Sequence, residues 1–208
     1  PEDMMSRFQE TITKVNKLIK QFAPEEFKKE WQVSVMDGTV AFGSAYHNWG
    51  ITIPYMKKSG VTMTDIFQYC NDEKQKELAQ AAPVHEVLLD MAVTKLPSPV
   101  EAQPYRIPNI WTGDLDSSIG KAMMACDPEA ELAMMITKIW MDPHAGEVAV
   151  GRIYSGAISQ GESVFAIGAA KPERVQQVSM MVGGDRITVP KVVAGNIAAI
   201  TGLSLIHI

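Results

Sequence analysis

Three groups of residues in this sequence carry atoms that could do chemistry. The first is Gly43-Ser44-Ala45, inside VAFGSAYHNWG (40–50). An apolar run, Val40-Ala41-Phe42, reads as a buried strand end that stops at Gly43. In nucleotide-binding α/β sheets the ligand lies outside the carboxyl ends of strands, where small residues let backbone N–H groups approach it. There the Ala45 amide could donate to a purine oxygen, with Ser44 Oγ bracing the loop. The same residues also read as a strand that ends in a small-residue turn. The second group is basic. Around GRIYSG (151–156) a strand alternates Val150, Arg152 and Tyr154 against Gly151, Ile153 and Ser155. That sets an Arg and a Tyr on one exposed face, suited to phosphate contact and base stacking. The alternative is a solvated edge. Lys171, Arg174, Arg186 and Lys191 are further basic candidates, each equally readable as surface charge. The third group is histidine. His85-Glu86 could be half of a helical zinc motif, but position 89 is Leu89, which excludes His-Glu-x-x-His. His47 and His144 have no partner in ligand spacing, and His207 falls in the closing residues. No residue is assigned a catalytic or metal-binding role.

The elements that must position these groups divide the chain in two. At 208 residues it can form one large domain or two small ones. A net charge of −5 argues against binding nucleic acid by bulk charge, while leaving local basic patches open. Cys70 and Cys126 stand far apart in no metal-type spacing, which fits a reducing compartment. No apolar run is long enough for a membrane span and no signal peptide opens the chain, so a cytoplasmic setting is expected. The sequence starts without Met, inside a helical pattern, and reads as a piece of something longer.

Residues 3–22 place Met4, Phe8, Ile12, Val15, Leu18 and Phe22 at helical spacing. Pro24-Glu25-Glu26 predicts a second, short helix. Trp31–Val35 alternates like a strand, and Met36-Asp37-Gly38 would turn it into Val40–Phe42. A helix capped at Thr62 or Thr64, a charged helical segment at Glu73–Gln80 and an amphipathic helix at Pro83–Leu96 follow. In that last helix Val84, Val87, Leu88, Met91 and Leu96 are expected inside. Residues 97–117, with four prolines and no periodicity, read as a linker. From Ile119 onward there is no helical stripe, only short apolar or alternating runs between Gly, Pro and Asp. The first is Gly120–Cys126 and the last is Asn196–Thr201. They predict a closed β-barrel or sandwich. The paired methionines, 123-124, 134-135 and 180-181, should then split between barrel interior and outer face. Trp31, Trp111 and Trp140 read as packing residues, and Trp49, beside the loop, as either packing or stacking.

The order and spacing of TVAFGSAYHNWG (39–50), LPSP (96–99), GRIYSG (151–156) and VVAGNIAAITGL (192–203) closely resemble the elongation factor 2 family. These are ribosomal translocases of the archaeal and eukaryotic type, within the translational GTPases. The likeness runs from Pro1 to Leu203. It implies the C-terminal part of a P-loop GTPase domain at 1–96, an α/β remnant, followed by an all-β second domain, a β-barrel, at 118–203. It further implies that Gly43, Ser44 and Ala45 match the fifth guanine-nucleotide motif. The barrel would touch small-subunit ribosomal RNA, with Arg152, Tyr154, Lys171 and Arg174 as candidates. The implied ligands are GTP or GDP with Mg²⁺, the implied partner is the ribosome, and the implied activity is GTP hydrolysis coupled to movement of tRNA and mRNA.

Other segments depart from the family pattern. The sequence holds no G-x-x-x-x-G-K-[ST], no Asp-x-x-Gly and no Asn-Lys-x-Asp. One or two hydrogen bonds of about 1 kcal/mol each do not offset the several kcal/mol lost in immobilising a ligand. Neither turnover nor bound nucleotide is therefore expected of these 208 residues alone. The closing SLIHI (204–208) leaves the pattern and reads as a non-native tail. Without upstream strands, the first half is expected to be partly disordered, rearranged or dimerised. A release or rescue factor with the same two-domain core, or a non-catalytic RNA-contacting barrel, are the alternatives.

Overall fold

A computed structural model describes residues 2–167 and 171–203, with side chains from Ser6 onward. The proposed tail, 204–208, and the side chain of Met4 lie outside the described residues. The chain forms two compact units, Pro1–Leu96 and Pro97–Ile208.

In the first unit, α1 (Glu2–Phe22) forms where the periodicity requires it, but its inner side is rotated. Phe8, Ile12, Asn16 and Ile19 are half-buried, whereas Leu18 and Phe22 are 55% and 74% exposed. Asn16 explains the rotation. Its side chain accepts the Val33 N–H at 2.8 Å and donates to the Val33 carbonyl at 3.0 Å. A side-chain amide thus satisfies backbone that a neighbouring strand would otherwise pair. Trp31–Val35 is accordingly not a strand, and Pro24-Glu25-Glu26 opens hydrogen-bonded turns rather than a regular helix. The strand expected at Val40–Phe42 is β1 (Phe42–Ser44), and its partner lies downstream: β2 (Trp49–Ile51), antiparallel, with Gly43 opposite Gly50.

Four helices follow. Thr52 caps α2 (Ile53–Ser59), which stops at Gly60 in the left-handed conformation, φ 77°. Thr62, not Thr64, caps α3 (Met63–Asn71), in a reciprocal capping box with Asp65. Next come α4 (Gln75–Ala81) and α5 (Val84–Lys95). Ile51, Tyr55, Ile66, Leu78, Ala82 and Val87 form the core of this unit. Val84 and Met91 of α5 are half-buried as expected, but Leu88 and Leu96 are exposed.

The second unit begins with helix where a linker was expected. Ser98 and Glu101 form a capping box on α6 (Pro99–Ile110), and Pro99 occupies its first turn. Pro104 and Pro108 lie inside the helix, four residues apart and both exposed. The carbonyls they leave without an N–H partner thus lie on the side where water reaches them. The opposite side buries Ala102, Gln103 and Ile107. Gly120–Cys126 is likewise helical, as α7 (Ser118–Ala125), capped by Ser117 and ended by Cys126 at φ 53°. A short apolar run does not distinguish buried strand from buried helix. The Ser117 cap was the deciding local signal.

The strands are β3 (Ala133–Asp142), β4 (Gly146–Ser155), β5 (Ala157–Ser159), β6 (Ser163–Val164), β7 (Glu173–Arg174), β8 (Gln177–Val182), β9 (Asp185–Thr188), β10 (Lys191–Val193) and β11 (Ile197–Thr201). Five make an antiparallel sheet in the order β3-β4-β11-β8-β9; β5 pairs with β10 and β6 with β7. One face carries the core, including Ala149, Ile153, Val178, Ala198 and Ile200, closed by Ile158, Val175 and Val192. Arg186 of β9 lies 3.9 Å from Asp142 of β3, although these strands are opposite edges of the sheet, so the sheet curls strongly. Of the strand methionines, Met134 and Met180 pack on the core while Met135 is exposed. Met123-Met124 are helical.

Candidate functional site: the Gly43–Asn48 hairpin

Gly43, Ser44 and Ala45 are brought together at one hairpin, and each has a different task in it. Gly43 and Gly50 face each other across the pair. A Cβ on Gly43 would stand 2.4 Å from the Trp49 carbonyl oxygen, so only glycine permits this approach of the two strands. Ser44 Oγ accepts the His47 N–H at 3.3 Å, which is the bracing role expected of it. The Ala45 carbonyl accepts the Asn48 N–H at 3.3 Å, and Asn48 takes the left-handed conformation, φ 59°, that closes the turn. Ala45 is exposed, and no acceptor among the described residues takes its N–H. The same is true of the Tyr46 N–H, so the loop presents two adjacent backbone donors at its rim, of which Ala45 N–H is the one next to the strand end. Beside it, Tyr46 is almost fully exposed, its ring edge-on to His47 at 4.8 Å.

The hairpin is fastened from below. The Gly50 N–H donates to the Ala82 carbonyl and the Val84 N–H to the Asn48 carbonyl, both at 3.0 Å. Trp49 bridges to Pro83, so the α4–α5 junction lies along β2 as a third, very short strand. Trp49 is a packing residue here: it lies against the first-unit core, and its Nε1–H donates to Gln75 Oε1 at 3.2 Å. Nothing in the sequence pairs Trp49 with Gln75, since the contact spans 26 residues. Glu86 is engaged away from the loop, accepting from Tyr55 OH at 3.1 Å; burial and this carboxylate push the Tyr55 phenol up.

The basic candidates of the second unit differ in exposure and in their partners. The alternation of Arg152 and Tyr154 against Ile153 holds, but both are half-buried rather than on an open face. Arg152 Nη2 donates to the Gly195 carbonyl at 3.1 Å. Burial pushes the neighbouring Cys126 thiol up, and the Arg152 charge opposes this. Lys171 and Arg174 are exposed, with Arg174 Nε bonded to the Gly161 carbonyl at 3.1 Å. Among the described residues no group of three or more His, Cys, Asp or Glu could hold a metal, and no helix is long and apolar enough to cross a membrane.

The chain is similar to known proteins along most of its length. The family model for elongation factor G domain 2 matches residues 131–208. Elongation factor 2 from a strain of Methanococcus maripaludis is 55% identical over 203 residues, covering 98% of this chain and 28% of the relative. The match passes through the hairpin and both units. The chain is a relative of elongation factor 2. Elongation factor 2 of Methanopyrus kandleri is 58% identical over the same share of the chain and 16% of its own length. That of Methanocaldococcus jannaschii is 54% identical, with 28% covered. The chain thus spans well under a third of each of these relatives.

Proposed function

We propose that this chain belongs to a GTP-hydrolysing ribosomal translocase and supplies two parts of it. Residues 1–96 are read as the end of the GTP-binding domain, 97–117 as the connection and 118–203 as a β-barrel second domain. The single observation that carries this reading is the likeness to elongation factor 2 over 98% of the chain, without restriction to either unit. The curl of the five-stranded sheet supports a barrel. The hairpin fits the base side of a guanine nucleotide: its rim donor, Ala45 N–H, has no acceptor of its own and suits a purine carbonyl oxygen. Bound GTP with Mg²⁺ supplies the phosphoanhydride whose cleavage is coupled to movement. The residues present here hold only the base, so these 208 residues alone are read as inactive in hydrolysis.

For the second unit we infer contact with small-subunit ribosomal RNA in the cytoplasm, with Lys171 and Arg174 the accessible candidates and Arg152 and Tyr154 in support. The exposed apolar side chains Leu88, Leu89, Val93 and Leu96 favour self-association of the isolated chain. The function is tested by replacing the matching segment of Methanococcus maripaludis elongation factor 2 with residues 1–203 of this chain. A chimera that restores ribosome-stimulated GTP hydrolysis and tRNA movement is the expected result. A folded chimera that binds GTP but does not engage ribosomes would overturn the reading.

A further inference from the structure

The rim donor of the hairpin is held by residues far from it in sequence. Its second strand, β2, has one edge on β1 and the other on the Ala82–Val84 connection. The connection is anchored by Leu78 and Ala82, both fully buried. Backbone bonds at Gly50 and Asn48 fix β2 along this connection, but they leave the Trp49 side chain free to choose its own direction. That direction is set by packing against the first-unit core and by one bond, from Trp49 Nε1–H to Gln75 Oε1 at the start of α4. Lys74, at the cap position of α4, makes no side-chain capping bond; its carbonyl accepts the Glu77 and Leu78 N–H groups, and the Gln75 contact adds a side-chain hold on this first turn. Trp49 stands directly after the turn Ala45–Asn48 and opposite Ser44, whose hydroxyl shapes that turn.

We propose that Trp49 and Gln75 are positioning residues for the Ala45 amide, so that the placement of α4 tunes how tightly the purine is held. This rests on the reading of Gly43–Ala45 as the base-facing loop. Neither residue touches the nucleotide. They act by narrowing the orientations that the turn samples, which raises the fraction of time its N–H is aimed at the base.

The test has two arms. In the 208-residue chain, amide hydrogen exchange is followed at His47 and Asn48, the two bonded amides of the turn, for Gln75→Leu and Gln75→Glu. Loss of one neutral hydrogen bond predicts roughly fivefold faster exchange at these amides in Gln75→Leu. Gln75→Glu keeps an oxygen acceptor for the indole and should restore slow exchange. In the chimera described above, Gln75→Leu should release GDP about two- to fivefold faster, again with rescue by Glu. Trp49→Phe keeps an aromatic ring, though a smaller one, loses the donor and should repeat the Leu result, which covers the case in which Gln75→Leu does not fold. Unchanged exchange at His47 and Asn48 in both Gln75→Leu and Trp49→Phe would overturn the positioning role while leaving the base-loop reading intact. Faster exchange with unaltered GDP release would overturn the base-loop reading and this inference with it.

Discussion

Replacing Gln103 with Leu tests whether the second unit depends on a residue that no motif marks. Gln103 is 2% exposed on the inner side of α6. Its Nε2 donates to the Met123 carbonyl and, at 2.9 Å, to the Tyr154 carbonyl. The two acceptors are not equivalent. Met123 O also receives the Cys126 N–H, so it keeps a partner when Gln103 is lost. Tyr154 is skipped by the β3–β4 register, which passes from Ser155 opposite Ala133 to Ile153 opposite Met134 across an irregularity. Gln103 therefore supplies a donor where the ladder does not. A Leu there strands one buried carbonyl, at about 1–3 kcal/mol. Part of that is offset, because Gln103 Oε1 is itself buried without a partner among the described residues and its burial penalty disappears. A net loss of about 1–2 kcal/mol remains, which for a unit of this size lowers Tm by roughly 5–15 °C. Urea unfolding of the chain, followed by a probe in the second unit, measures it directly. Gln160→Leu, at an exposed position in the same unit, is the control and should fall within about 0.5 kcal/mol of the parent. If Gln103→Leu falls in that same range, α6 is not tied to β4 in the way described.

Two further outcomes follow from local geometry. Thr62→Ala removes the hydroxyl that accepts the Asp65 N–H at 3.2 Å and should cost the first unit about 1 kcal/mol, read as a lower urea midpoint without a change in slope. Asp142 accepts the Ala145 and His144 N–H groups, which with the Arg186 charge hold its carboxyl below the usual range. The folded value lies below the unfolded one, so the stabilisation is full above about pH 4 and is lost as pH falls through the folded value. Asp142→Asn should flatten the acid limb of a stability-versus-pH curve while leaving that curve's shape near neutrality unchanged.

How much of this was legible beforehand depended on which interaction decided each element. The strands from Ala133 onward carry their own turn signals, and the last expected run, Asn196–Thr201, coincides with β11 to within one residue. The sign of the alternation in β4 was read as well. What failed were segments decided by distant partners. Trp31–Val35 has strand-like alternation, yet the Asn16 side chain, 17 residues from Val33, takes the place of a pairing strand. Residues 99–110 have prolines that count against a helix, but both interior prolines face water, where their missing bonds cost least. In α5 the apolar residues cover more than one side, so spacing alone could not choose between the side of Val87 and the side of Leu88.

The candidate site shows the same division inside a single tripeptide. Gly43-Ser44-Ala45 was read as one unit because small residues at a strand end suit a nucleotide. The geometry assigns the three identities to three causes. Gly43 is demanded by the Trp49 carbonyl whether or not any ligand binds. Ser44 is accounted for by the His47 amide it receives. Ala45 is left with an outward N–H in the turn itself that the described residues do not use, and this is the donor on which the proposed base contact rests. A motif of this kind is therefore weak in sequence for a physical reason: two of its three residues serve a tight hairpin, and tight hairpins occur in proteins of every function. The specificity comes from what holds the third residue's amide outward, and that is the contact of Trp49 with Gln75 and the α4–α5 junction beneath β2.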